Sequence, residues 1–126
     1  MSVEATVCKQ FRFEAAHHLP NHAGKCRRPH GHSYRVEVLA RGVVKGATGE
    51  SDEGMVLDFA ALSHCWEPLH NMLDHRDLNA VLSFPTTAEN LAGWLLEQLH
   101  ESCPPVYAVR VWETASAYAE AMVASR

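Results

Sequence analysis

Between Ala15 and Val36 the chain carries five of its nine histidines (His17, His18, His22, His30 and His32) together with Cys26, and not one Asp or Glu. The window runs into a segment, His32 to about Arg41, in which Tyr34, Val36, Val38 and Ala40 share the parity of His32. Apolar residues at every second position specify a strand with one face buried. His30 and His32 have the same parity, so an extended backbone points both imidazoles to one side. Two ligands from one strand make half a metal site. A third histidine from a neighbouring strand completes the His₃ set with which Zn²⁺ keeps a position open for water or substrate.

The flanking sequence supplies such a neighbour. Val3 to Ala15 alternates, with Val3, Ala5, Val7, Phe11, Phe13 and Ala15 on one parity, broken only by Lys9, and reads as a half-buried strand. Leu19 to Pro29, punctuated by Pro20, Asn21 and Gly24, is a loop carrying Cys26. After a glycine-rich connection from Gly42 to Gly54, Asp58 is placed to cap a helix whose Leu62, Trp66, Leu69 and Leu73 recur at helical spacing, with Pro68 expected to kink it. A second helix follows Pro85, with Leu91, Trp94, Leu95 and Leu99 on one side and Pro104-Pro105 as its stop. Tyr107 to Thr114 alternates again, and Tyr118 to Val123 reads as a weaker closing strand. The order strand, strand, helix, helix, strand, strand predicts an α+β fold: a four-stranded antiparallel sheet with two helices on one face. With 126 residues, 47% of them hydrophobic, the expectation is one domain spanning residues 1–126.

The net charge of −4 argues against nucleic acid or an anionic membrane as a partner. Positive charge is instead local, at Lys25, Arg27, Arg28 and Arg35, which suits a small anionic ligand. The opening MSVEATVCKQ has no apolar core of a signal sequence, so the chain is read as cytoplasmic and its four cysteines as free thiols.

Within the histidine window, His17 shares the parity of Phe13 and Ala15, which favours it as third ligand over His18 and His22. Cys26 sits among cations that raise a thiol's thiolate fraction, as a base or nucleophile requires. The competing reading makes Cys26 a fourth ligand, closing a non-catalytic Cys-His₃ structural zinc site. Asp74-His75, at the end of the first helix, suggests an oriented base, although helical neighbours point about 100° apart; a His complementing the helix C-terminus is the plainer alternative. Glu113 continues the core-facing parity of Tyr107, Val109 and Val111, so its carboxylate must be paired or line a pocket. Such a carboxylate can accept two parallel N–H bonds from a guanidine-like ring edge. Thr86 and Glu89 match a capping box opening the second helix.

Taken together, Phe11-Arg12-Phe13-Glu14-Ala15-Ala16-His17, Lys25-Cys26-x₃-His30-Gly31-His32, Leu73-Asp74-His75-x₂-Leu78, Thr87-x-Glu89-Asn90 and Trp112-Glu113-Thr114 resemble the 6-pyruvoyltetrahydropterin synthase family, most closely its bacterial 6-carboxytetrahydropterin synthase branch. The resemblance implies the tunnelling fold and Zn²⁺ held by His17, His30 and His32. It implies Cys26 as the proton-abstracting thiolate, with Asp74 and His75 as its catalytic partners. Glu113 becomes the pterin anchor and relay, and Thr87 and Glu89 line the pterin pocket. It further implies a homo-oligomer, a trimer or a dimer of trimers, with active sites between subunits. The implied reaction is that of a lyase of queuosine biosynthesis, converting 7,8-dihydroneopterin triphosphate to 6-carboxytetrahydropterin with loss of acetaldehyde and triphosphate. The alternative within the family is 6-pyruvoyl formation without side-chain cleavage.

Overall fold

In a computed structural model describing residues 1–124, the elements run β1 (Glu4–His17), β2 (His30–Val43), α1 (Phe59–Leu73), β3 (Arg76–Asp77), α2 (Leu78–Val81), α3 (Ala88–Ser102), β4 (Val106–Thr114) and β5 (Ala117–Met122). β1 and β2 pair antiparallel along their whole length, from Glu4 opposite Val43 to His17 opposite His30. Directly opposed residues share a face. Phe13, Ala15, Tyr34, Val36 and Val38 therefore make one wall of the core, with Phe13 stacked on Tyr34 at 4.7 Å between ring centroids. β4 pairs antiparallel with β2 and extends that wall with Val109 and Val111. β5 closes the far edge against β4.

Both long helices bury their apolar stripes in the same core. α1 contributes Leu62, Trp66, Leu69 and Leu73, and α3 contributes Leu91, Leu95 and Leu99. Asp58 caps α1 through the Ala60 amide at 2.9 Å, and the helix runs on through Pro68. Each fully buried leucine stabilises the fold by about 1.5–3 kcal/mol relative to exposure. The reverse face of the sheet carries Gln10, Arg35, Glu37 and Arg110 beside the buried Leu39 and Ala108. Glu37, only 8% exposed there, accepts a hydrogen bond from the Trp112 indole and lies beside Gln10 and Arg110.

The architecture is α+β, but among the described residues the sheet is mixed and has five strands in the order β3-β1-β2-β4-β5, where four antiparallel strands and two helices were expected. The extra strand, β3, runs parallel to β1, with Ala15 opposite Arg76 and Ala16 opposite Asp77. Two bonds from elsewhere in sequence create it: the Asp74 carboxylate accepts the Glu14 amide at 2.9 Å, and the His75 amide donates to the Glu14 carbonyl. No apolar alternation marks Arg76-Asp77, so nothing local announces the pairing. The third helix, α2, has only four residues and is capped by Asp77 through the Asn79 amide at 3.0 Å. None of the helices in the described residues is long and apolar enough to cross a membrane.

Leu95 has no exposed surface. Leu95→Ala is expected to cost about 2–5 kcal/mol of unfolding free energy, read as a lowered urea midpoint with an unchanged slope.

Candidate metal centre and active site

The core wall continues past Tyr34 and Phe13 as nitrogen donors. His17 faces His30 across the β1–β2 pair, and His32 lies two residues along β2 on the same face. Their ring centroids are 4.6, 5.1 and 4.9 Å apart, and one nitrogen from each lies within 4.8 Å of the others. Cys26 is not among the donors that converge there, and neither are His18 and His22. His22 instead accepts the Gly24 amide through Nδ1 at 2.9 Å.

Two of the rings are oriented by hydrogen bonds on the far nitrogen. His17 Nδ1 donates to the Thr86 carbonyl at 2.8 Å, with the Thr86 hydroxyl at 3.2 Å; His30 Nδ1 donates to the Arg28 carbonyl at 2.8 Å. Bonds of this kind set the tautomer and leave the Nε2 lone pair available to a metal. His17 is 1% exposed, and the Nε2 atoms of His17 and His32 are buried without a hydrogen-bond partner among the described residues. Glu113 Oε2 stands 3.3 and 3.1 Å from those two nitrogens, but without the alignment of a hydrogen bond. Lone pairs of a carboxylate and two imidazoles facing one another repel unless a proton or a cation lies between them. The donor set thus fits a divalent cation, and three imidazoles with an open position suit zinc.

The charges are mutually tuned. Contact with His17 holds the Glu113 carboxyl below the usual range, with His32 and His30 adding to the effect against the opposing influence of burial. Burial pushes His32 down, opposed by the Glu113 charge. Tyr34, buried behind the cluster, has its phenol driven well above the ordinary value by burial and by Glu113.

The other expected site residues lie around the cluster in several places, and His75 shares a cavity of about 580 Å³ with His32. Cys26 is half-buried in a 3-10 turn, Lys25–Arg27, tied down by the Leu19 amide on the Cys26 carbonyl at 2.8 Å. That turn hands the chain to Arg28, whose carbonyl orients His30. Asp74 and His75 do meet: His75 Nδ1 lies 2.8 Å from Asp74 Oδ2. The contact is possible because α1 has ended and His75 adopts a φ of 57°, the one positive value outside glycine among the described residues, a conformation disfavoured for residues with a Cβ. His75 is 76% exposed. Glu89 and Glu113 line one cavity of about 410 Å³ with Tyr118 and Glu120. Thr87 lines a different one, of about 640 Å³, with Leu19, Leu82 and Phe84.

Thr87, rather than Thr86, caps α3, accepting the Asn90 amide at 3.1 Å. The capping-box reading of Thr86 is therefore corrected: its carbonyl and hydroxyl serve His17, and it is 1% exposed. Sequence reasoning missed this role because a Thr-Thr pair before a helix offers two equivalent caps. Only the burial of the first distinguishes them.

A sequence profile described as 6-pyruvoyl tetrahydropterin synthase matches residues 6–123. The chain belongs to the 6-pyruvoyl tetrahydropterin synthase family. Among its relatives, 6-carboxy-5,6,7,8-tetrahydropterin synthase from Synechocystis sp. is 44% identical over 116 residues, covering 90% of this chain and 89% of that protein. Dihydroneopterin monophosphate aldolase from Pyrococcus furiosus is 31% identical over 81% of each chain. The structure of 6-pyruvoyl tetrahydropterin synthase from Caenorhabditis elegans superposes with a TM-score of 0.86, at 26% identity and 97% coverage of both chains. The mixed sheet and helices are thus those of the synthase family.

The Asp74 carboxyl is held below its ordinary value, first by the Glu14 amide and then by His75. A depressed carboxyl contributes stability that is present above its unfolded value, near 3.9, and is lost as pH falls through the lower folded value. Asp74→Ala should therefore remove part of the acid limb of the stability profile. Acid titrations of the two proteins that run parallel below about pH 4 would contradict the assignment.

Proposed function

We propose that this chain is a cytoplasmic 6-carboxy-5,6,7,8-tetrahydropterin synthase. In this reading it is a zinc-dependent lyase of queuosine biosynthesis that converts 7,8-dihydroneopterin triphosphate to 6-carboxytetrahydropterin, releasing acetaldehyde and triphosphate. The observation that carries the proposal is the convergence of His17, His30 and His32 on one point with Cys26 left out, in a chain 44% identical to a protein of that name. Zinc held by the three imidazoles would supply Lewis acidity toward the hydroxyls of the substrate side chain.

The remaining work falls to the chain's own groups. Cys26 Sγ, flanked by Lys25 and Arg27, takes a proton from the carbon next to those hydroxyls. Asp74 Oδ2 holds His75 Nδ1 at 2.8 Å, which leaves Nε2 free to exchange that proton. Glu113, set between the histidines and the cavity it shares with Glu89, accepts the amino and ring N–H of the pterin edge as a bidentate pair. Lys25, Arg27 and Arg28 attract the triphosphate. The Asp74-His75 pair is open to solvent while Cys26 lies in its own loop. This arrangement supports a homo-oligomer, a trimer or a dimer of trimers, in which the pair from one copy completes a site whose cysteine belongs to another.

The decisive assay follows products from 7,8-dihydroneopterin triphosphate, with metal content measured on the same sample. Acetaldehyde with 6-carboxytetrahydropterin is expected; triphosphate without acetaldehyde would assign the 6-pyruvoyl reaction instead. Cys26→Ala is expected to keep fold and metal and lose turnover by ~10²–10⁴-fold, whereas His30→Ala loses the metal. A thiolate-to-metal charge-transfer band in the cobalt-loaded wild type would assign Cys26 to a closed Cys-His₃ site. Glu113→Ala should weaken pterin binding. Mixed assemblies of Cys26→Ala and His75→Ala copies should regain activity that neither has alone, and no recovery would place each site within a single chain.

A further inference from the structure

The end of β1 is held by a side chain far from it in sequence. Asn79 Oδ1 accepts the His18 amide at 2.9 Å, and Asn79 Nδ2 donates to the His18 carbonyl at 2.9 Å. A backbone N–H can only donate and a carbonyl can only accept, so this pair of bonds permits one orientation of the carboxamide. The oxygen so placed also lies 3.3 Å from the Thr86 hydroxyl and accepts its proton. With that proton committed, the lone pairs of the hydroxyl are turned to His17 Nδ1, 3.2 Å away. His17 must then carry its proton on Nδ1, shared between the Thr86 hydroxyl and carbonyl, and present a bare Nε2 to the cluster. One amide thus clamps the backbone just after a ligand and also sets the hydrogen bonding behind that ligand's ring. Asn79 is itself anchored, since its own amide donates to the Asp77 carboxylate at the start of α2.

We propose that Asn79 is a positioning residue for the metal ligand His17, acting through the His18 backbone and the Thr86 hydroxyl and touching neither metal nor substrate. The proposal rests on reading His17, His30 and His32 as a divalent-metal site. It adds a functional consequence to the packing of the 74–79 segment along β1. The same stretch that carries Asp74 and His75 also holds the backbone just after His17, so the Asp74-His75 pair and the histidine cluster are registered against one segment of β1.

The test is a titration of the metal-free protein with Co²⁺, reading affinity and the ligand-field spectrum together. Asn79→Leu, close in size but unable to hydrogen-bond, is expected to weaken Co²⁺ binding about 10–100-fold, the range for lost outer-shell partners of a metal-bound histidine, and to shift the visible bands. Thr86→Val should weaken binding in the same direction, and Thr86→Ser, which restores the hydroxyl, should return both affinity and spectrum to wild type. Leu99→Ala, a core truncation in the last turn of α3, should lower the melting temperature without moving either cobalt readout. That control separates positioning from general loosening. Asn79→Leu with wild-type affinity and spectrum would overturn the proposal, as would equal losses in Thr86→Val and Thr86→Ser if Asn79→Leu does not fold. A wild-type protein that binds no Co²⁺ would overturn the metal reading itself, a result distinct from a wild type that binds and a variant that binds equally well.

Discussion

Antiparallel pairing of β1 with β2 is the constraint on which everything else depends. Because His17 stands opposite His30, and His32 follows two residues later on the same face, the register that buries Phe13 against Tyr34 also gathers the three imidazoles. A slip of one residue would turn one strand's entire apolar set outward and scatter the imidazoles with it. The packing that selects the register and the geometry of the donor set are therefore one thing. The hydrophobic core, with Val36, Val38, Val109 and Val111 fully buried, supplies the energy that holds three mutually unfavourable nitrogens at close range.

The second organising element is the segment from Asp74 to Asn79, which lies along β1 from Glu14 to His18. Its contacts are polar and mostly to backbone: Asp74 to the Glu14 amide, His75 to the Glu14 carbonyl, Asn79 to both backbone groups of His18. Such contacts fix relative position without demanding apolar surface, which suits a stretch that also leaves the His75 ring exposed. The positive φ of His75 is the local cost of turning out of α1 in time to meet the strand; conformations of this kind concentrate where geometry serves function.

The two faces of the sheet divide the labour. The helix-covered face carries the core and, at its end, the His17, His30 and His32 cluster with Glu113. The other face carries Glu37, held by Trp112 and Gln10, with Arg35 laid over the Trp112 ring at 4.3 Å. Glu37 has the opposite parity to His32 and belongs to this other face, so the acidic residue nearest the His-x-His pair in the second strand takes no part in the histidine cluster.

Strand parity, helix stripes and the Asp58 cap were legible in the sequence because they depend on residues within one element, where periods of 2.0 and 3.6 translate directly into faces. The candidate ligands His30 and His32 were legible for the same reason, and His17 followed from its parity with Phe13 and Ala15. Tertiary structure alone decided that β3 exists, that Thr86 serves His17 while Thr87 takes the cap, that Asn79 clasps His18, and that Glu89 but not Thr87 shares a cavity with Glu113. Each of those outcomes joins groups far apart in the chain through one or two directional hydrogen bonds or a shared cavity wall. Such contacts leave no periodic trace in the sequence, and they form only once the burial of the apolar faces has brought the partners within reach.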